Sequence, residues 1–229
     1  MAISINAPSS SLSFIEKQAQ EREEKDEKLA SGKKINSAAD DAAGLQIASR
    51  LTAQINGYSQ LSSNAQDSIN VNNVQSSQLS SIDESLQRAN VLSVQSGSPL
   101  GDNDAIQGEL DQLTEEINTL ASEALGQDNF IIGLDASDPS ATQALIDDAF
   151  NTINESNSIN GANTNALSSQ VSTYEATVVN VSSARSRIED TDYGKTSSEK
   201  EQLSTLLQAA VISKRDEDSR KGLLVNQMV

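Results

Sequence analysis

Histidine, cysteine and tryptophan are all missing from the 229 residues. Without histidine the commonest general base is gone, and without cysteine there is no thiol nucleophile and no disulfide. Most transition-metal sites go with them. Aromatic residues amount to 3%, three Phe and three Tyr, so the large side chains that fill a thick core are scarce. Eleven Gly and three Pro are too few for a low-complexity linker. No apolar run is long enough to span a bilayer, which argues against membrane insertion. The first residues lack the basic start and apolar centre of a cleaved secretory signal. Basic residues number 16 against 33 acidic ones, and a net charge of −17 repels a phosphate backbone, so no nucleic-acid partner is expected.

What is present is helical spacing. Leu51, Ile55, Tyr58, Ala65 and Ile69, then Leu79, Ile82, Leu86 and Ala89, recur at steps of mostly three and four across 42–95. SGSPLGDND at 96–104 breaks that pattern. Ile106, Leu110, Leu113, Ile117, Leu120 and Ala124 form a second seam. Leu145, Ala149 and Ile153, then Leu167, Val171, Tyr174, Val178, Val181 and Ile188, form a third, through a weakly helix-forming NSINGANTN patch. Between them GQDNFIIGLDASDPS (126–140) reads as non-helical, with Phe130-Ile131-Ile132 predicted as a short strand, half of a hairpin. The predicted fold class is mainly α: an elongated antiparallel helical bundle with a small β-hairpin element near the centre of the chain.

No catalytic residue, cofactor site or metal site stands out in the sequence. No Gly-x-Ser-x-Gly turn and no glycine-rich phosphate loop exist. GDND (101–104) and LDASDPS (134–140) resemble calcium-loop fragments but lack the closing acid, so they read as solvated turns. Asp40 and Asp41 precede Ala42-Ala43-Gly44, which places two carboxylates at a helix start or in a subunit contact. Arg185 and Arg187 point to different helix faces; one is expected to bridge a carboxylate within the chain, Arg185 being on the seam, and the other to reach a neighbour.

Four segments carry a resemblance. SGKKINSAADDAAGLQIASRL (31–51), QINGYSQLSSNAQDSI (54–69), LQRANVLSVQ (86–95) and SSARSRIEDTDY (182–193) resemble, in order, segments of the bacterial flagellins. The resemblance implies an extracellular filament subunit for swimming motility, secreted through the flagellar export machinery, with other copies of itself and filament cap or junction proteins as partners. It implies an inner domain from 1–43 and 190–229, an outer rod from 44–189, and no variable surface domain. It further implies contact with an innate-immune Toll-like receptor through Arg88, Leu92 and Glu116, although Asn90 and Val91 depart from the usual basic–acidic pair. On the residues themselves, Leu92 reads equally as core and Arg88 as a solvated face. An engineered or divergent flagellin that stays soluble and a hook–filament junction protein are the alternatives.

The likeness breaks at both ends. Residues 16–28 hold ten charged residues in thirteen, and 214–221 hold seven in eight. The N-terminal seam runs Leu12, Ile15, Ala19, Arg22, Asp26, Leu29, and the C-terminal one Leu203, Leu206, Ala210, Ser213, Glu217, Arg220, Leu224. In an antiparallel pair the two charged stretches are expected to overlap. Helices with charged seams gain little from burial, so they are expected to fray in the free chain, with Leu12, Ile15, Leu206 and Leu224 packing between subunits.

Overall fold

The computed structural model describes residues 10–98 and 102–226, with side chains over 12–98 and 102–220. Five helices follow one another: α1 (Ser10–Ser31), α2 (Ala38–Ser96), α3 (Asn103–Leu125), α4 (Pro139–Glu189) and α5 (Tyr193–Asn226). Contacts divide the chain into two compact units, 57–178 and the paired segments 1–56 and 179–229. Both divisions fall inside helices, α2 and α4.

The unit 57–178 has a continuous apolar core. Leu79, Ile82, Leu86 and Ala89 of α2 meet Ile106, Leu110, Ile117 and Ala121 of α3 and Ile146, Ala149 and Ile153 of α4. The third seam holds at Ala149 and Ile153, but its first position is Ile146, fully buried, rather than Leu145, which is 38% exposed. Helix ends are fixed by local chemistry. Asp102 caps α3 by accepting from the Ala105 N–H, and left-handed Gly126 ends it. Asp138 accepts from the Ala141 N–H at 3.1 Å, with Pro139 in the first helical position. Of the carboxylates in the two fragments that resemble calcium loops, Asp102 and Asp138 are thus helix caps. α4 runs unbroken through NSINGANTN, where Thr164 meets Asn72 of α2 at 3.4 Å; packing there overrides weak local propensity.

The expected hairpin is absent: no strand occurs among the described residues, and 126–138 is an irregular segment with Gly133 at φ +81°. Side chains take the place of a partner strand. The Asn118 amide accepts from the Ile131 N–H (2.9 Å) and donates to its carbonyl (2.8 Å). Gln107 donates to the Leu134 carbonyl (2.9 Å) and accepts from the Ala136 N–H (2.8 Å). Thr142, fully buried, does the same for Asp135 at 2.9 and 2.8 Å. The backbone groups of Ile131 and Asp135, the Leu134 carbonyl and the Ala136 N–H are thus satisfied by side chains of α3 and α4 in place of a ladder.

The other unit has little core. α1 and α5 pack antiparallel, with Lys25 on Glu199 and Lys200 on Asp26, each at 2.6 Å. The expected overlap of charged stretches is therefore wrong: residues 16–28 lie against the first half of α5, and Lys214 pairs within its own helix, with Asp218 at 3.1 Å. The inward stripes also differ. Gln18 and Lys25 face inward on α1 while Arg22 is exposed, and Leu207 and Lys214 are half-buried on α5 in place of Leu206 and Ser213. Steps of four from Leu203 are as regular as steps of three, so spacing alone did not choose between them.

Candidate functional site

Where the terminal segments meet, two short connections form a clasp. α1 ends at Gly32, whose φ of +71° turns the chain in a way side-chain-bearing residues rarely adopt. The turn lays Lys33 against Asp190 in an antiparallel bridge: the Lys34 N–H donates to the Glu189 carbonyl at 2.7 Å, and the Thr191 N–H to the Gly32 carbonyl at 2.9 Å. Glu189 is 8% exposed, and its carboxylate is met by Lys33 Nζ at 2.5 Å and by Arg185 Nε at 3.8 Å. A carboxylate so enclosed needs such partners. Arg185 also donates to Thr52 Oγ1 at 3.3 Å, so it works inside the chain, on the seam where its spacing put it. Lys34 Nζ donates to the Arg187 carbonyl at 3.0 Å, a cation at the negative end of α4. The Arg187 side chain is exposed and makes no ion pair among the described residues.

The Asp40-Asp41 pair builds the other wall. Asp41 has extended backbone (φ −162°, ψ 98°) and accepts from the Gly44 N–H at 2.8 Å; it is the N-cap of the long run of α2. Asp40 accepts from the Ser37 N–H (2.8 Å), the Asn36 N–H (3.0 Å) and the Ser37 hydroxyl (3.1 Å). The backbone bonds from Ser37 and then Asn36 hold its carboxyl below the ordinary value of 3.8. Gly44 is dictated by crowding: a Cβ there would stand 2.4 Å from Asp41 Oδ2 and 2.7 Å from Ile35 Cδ1. Ile35 is buried beside it, and Ala48 is buried one turn on. The block GKKINSAADDAAG is a set of turn, cap and close-approach residues, and both carboxylates serve the local fold.

The remaining candidates lie on surfaces. Arg88 pairs with Glu109 of α3 through Nε (2.7 Å) and a terminal nitrogen (2.6 Å). Leu92 is 2% exposed and belongs to the core, so of the three receptor candidates only Arg88 and Glu116 present themselves to solvent. Leu12 (45% exposed) and Leu206 (50%) are open, with Phe14, Val211 and Ile212 equally so; Ile15 is half-buried. Val211 and Ile212 escaped the seam because they stand between its positions. The side chain of Leu224 lies outside the described residues. A polar groove of about 530 Å³ beside α3 is lined by Gln107, Asp111, Thr114 and Asp135 among others. Among the described residues no three acidic, His or Cys side chains gather as metal ligands.

Fold and site together define an all-helical protein whose N- and C-terminal segments are clasped to each other. The model of the bacterial flagellin N-terminal helical region matches residues 3–132, and that of the C-terminal helical region matches 143–214. The chain belongs to the bacterial flagellin family, and only residues 133–142 separate the two matched regions, which leaves no room there for a variable domain. It is 48% identical over 99 residues to a flagellin of Clostridium tyrobutyricum, covering 42% of this chain and 26% of that one. It is 43% identical over 101 residues to the flagellar filament 41 kDa core protein of Borreliella burgdorferi, covering 43% and 30%. Against a flagellin of Salmonella typhimurium it is 42% identical over 113 residues, covering 45% and 23%. The matches thus span less than a third of each relative.

Proposed function

We propose that the chain is a structural subunit that polymerises with copies of itself into an extracellular flagellar filament for swimming motility, and has no catalytic role. The observation that carries this is the match of both terminal regions to the flagellin family, joined in the structure by the clasp. The Borreliella relative, a flagellar filament core protein, points the same way. No helix among the described residues is long and apolar enough to cross a membrane, which suits a protein that leaves through the flagellar export machinery. In this reading 1–43 and 190–229 form an inner domain and 44–189 an outer one, and filament cap or junction proteins bind at the filament's ends. The open side chains of Leu12, Phe14, Leu206, Val211 and Ile212 are the subunit-packing surface, being large apolar groups without cover in the single chain. Arg187 reaches a neighbouring copy. Arg88 and Glu116 are what a Toll-like receptor would meet, weakly, because Arg88 is already engaged by Glu109.

Deletion of the gene tests the reading. Loss of swimming with no filaments under the electron microscope is expected, restored by the wild-type chain and not by Leu206→Glu with Ile212→Glu. Filaments of normal number and length in the deletion strain would refute it.

A further inference from the structure

Charge is divided unevenly between the two units. Residues 57–178 hold seventeen acidic residues and one basic residue, Arg88, a net charge of −16. The rest of the chain holds sixteen acidic and fifteen basic residues, a net charge of −1. A net charge of about 2–8 is enough to keep a small domain soluble, so −16 exceeds that need. None of the seventeen carboxylates is buried; Asp83 and Glu109 are half-buried and the others exposed. Where a Lys or Arg could stand, a neutral donor does. Across the α2–α3 contact Glu123 accepts from the Gln78 amide at 2.9 Å. Asp83 accepts from Gln87 at 2.7 Å, Asp111 from Gln107 at 2.8 Å and Asp128 from the Ser122 hydroxyl at 2.7 Å. Arg88–Glu109 is the only ion pair of this unit among the described residues, whereas in the α1–α5 pair the same task falls to Lys25 and Lys200. Neutral donors satisfy a carboxylate's hydrogen bonds and leave its charge in place. The charges also converge. Asp104, Asp111 and Asp135 line the groove of about 530 Å³, and Asp111 and Glu115 stand one turn apart on α3, a like-charge spacing that weakens a helix.

We infer that dissolved cations are a working partner of this unit: a diffuse layer of them, held at no fixed site, offsets the self-repulsion of 57–178, so that its fold tightens as ionic strength rises. Folding brings sixteen carboxylates without an ion pair close together, and the extended chain relieves them. At 0.01 M salt the screening length is about 30 Å, so carboxylates throughout the unit repel one another; at 0.1 M it is already about 10 Å. The α1–α5 pair responds with the opposite sign, because there salt screens the attractions Lys25–Glu199 and Lys200–Asp26. A coordinated ion is not what the geometry supports, since among the described residues no three acidic side chains gather as ligands. The stability of this unit is thereby set by the ionic strength of the medium around it.

Amide exchange of the full chain, read region by region in about 0.01 M and about 0.5 M NaCl, tests this. Protection across 79–89, 110–121 and 146–153 is expected to rise about tenfold with salt, while that of α1 and α5 holds or falls. Tetramethylammonium chloride at the same ionic strength is expected to act alike, since a bulky cation screens charge without coordinating oxygen. Six exposed carboxylates that cap no helix are neutralised together by Glu84→Gln, Glu115→Gln, Glu116→Gln, Asp147→Asn, Asp148→Asn and Glu155→Gln. That variant is expected to gain protection at low salt and to lose about half of the response to salt. Protection that does not change with salt overturns the inference, and so does an equal rise in both regions, which would be general salting-out. A rise with NaCl that tetramethylammonium chloride fails to reproduce overturns it in favour of a coordinated ion, and a six-site variant that keeps the full response overturns it outright. Exchange is read on the free chain, so the outcome is independent of whether the protein forms filaments.

Discussion

The unit 57–178 and the α1–α5 pair are both helices on helices, but different forces define them. In the first, Leu79, Ile82, Leu86, Leu110, Ile117, Ile146 and Ile153 are all but wholly buried. In the second, the side chains buried on α1 and α5 among the described residues are polar, Gln18 and Thr196, while Leu206, Val211 and Ile212 are about half exposed. Apolar burial is non-directional and strong, about 1.5–3 kcal/mol for each large side chain. Ion pairs at a surface contribute about 0–1 kcal/mol each but depend on position. One region is held by buried apolar area, and the other by polar contacts whose worth depends on position.

Truncating the two regions gives the widest contrast. Leu86→Ala or Ile117→Ala empties space in a closed core and is expected to cost about 2–5 kcal/mol, read as a fall in unfolding midpoint. Leu206→Ala removes a side chain already half in water and is expected to change stability of the free chain by less than about 0.5 kcal/mol. Amide exchange should follow the same division, slow across 79–89, 110–121 and 146–153 and fast across α1 and α5. Equal protection in both regions would break the comparison.

Much of this division could be read from the sequence. The α3 seam predicted its buried face because Ile106, Leu110, Ile117 and Ala124 leave a helix no other side to bury. The charged middle of α1 was equally plain. What the sequence hid were choices made by partners. Phe130-Ile131-Ile132 has strand composition, but Asn118, which occupies the Ile131 backbone, and Gln107, which holds Leu134 and Ala136 beyond it, are remote in sequence and look like ordinary surface residues of α3. Leu206, a position of the expected stripe, is open while its neighbour Leu207 is half-buried, for a similar reason. A three–four pattern shows that a stripe exists, whereas the neighbouring helix decides which of two adjacent stripes is covered.

The clasp lies between the extremes, and Gly44 is its sharpest test. Gly44→Ala would gain helix propensity of about 1 kcal/mol. Against this, the new methyl must displace the Asp41 carboxylate that caps the helix and the Ile35 side chain beneath it. Losing a cap costs about 0.5–2 kcal/mol, and overpacking about 1–3 kcal/mol. The expected net is a loss of about 1 kcal/mol, confined in amide exchange to 33–48 and 185–191. Stabilisation on Gly44→Ala would show that Asp41 and Ile35 move aside freely, and that the clasp is as loosely held as the α1–α5 pair.

The smallest expected effect separates the clasp from that pair by how each holds an anion. Asp40 is held below the ordinary carboxylate range first by the Ser37 N–H, and Glu199 first by the hydrogen bond from the Lys25 ammonium. In both, the folded value lies below the unfolded one. Each therefore contributes stability that is present above the unfolded value, near 3.8 for Asp40 and 4.5 for Glu199, and that fades as pH falls through the lower folded value. The contributions are small because both groups face water. A backbone N–H is fixed in place and carries no net charge, so salt should leave the Asp40 midpoint nearly unmoved. The Lys25 ammonium is a mobile ion that salt screens within about 3 Å at 1 M. Carboxyl-carbon titration by NMR at low and high salt is expected to show Asp40 staying below 3.8 in both. Glu199 should rise toward 4.5 at high salt, and should do so at low salt in Lys25→Met. An Asp40 midpoint that climbs with salt as Glu199 does would mean that the clasp is held by charge rather than by backbone geometry.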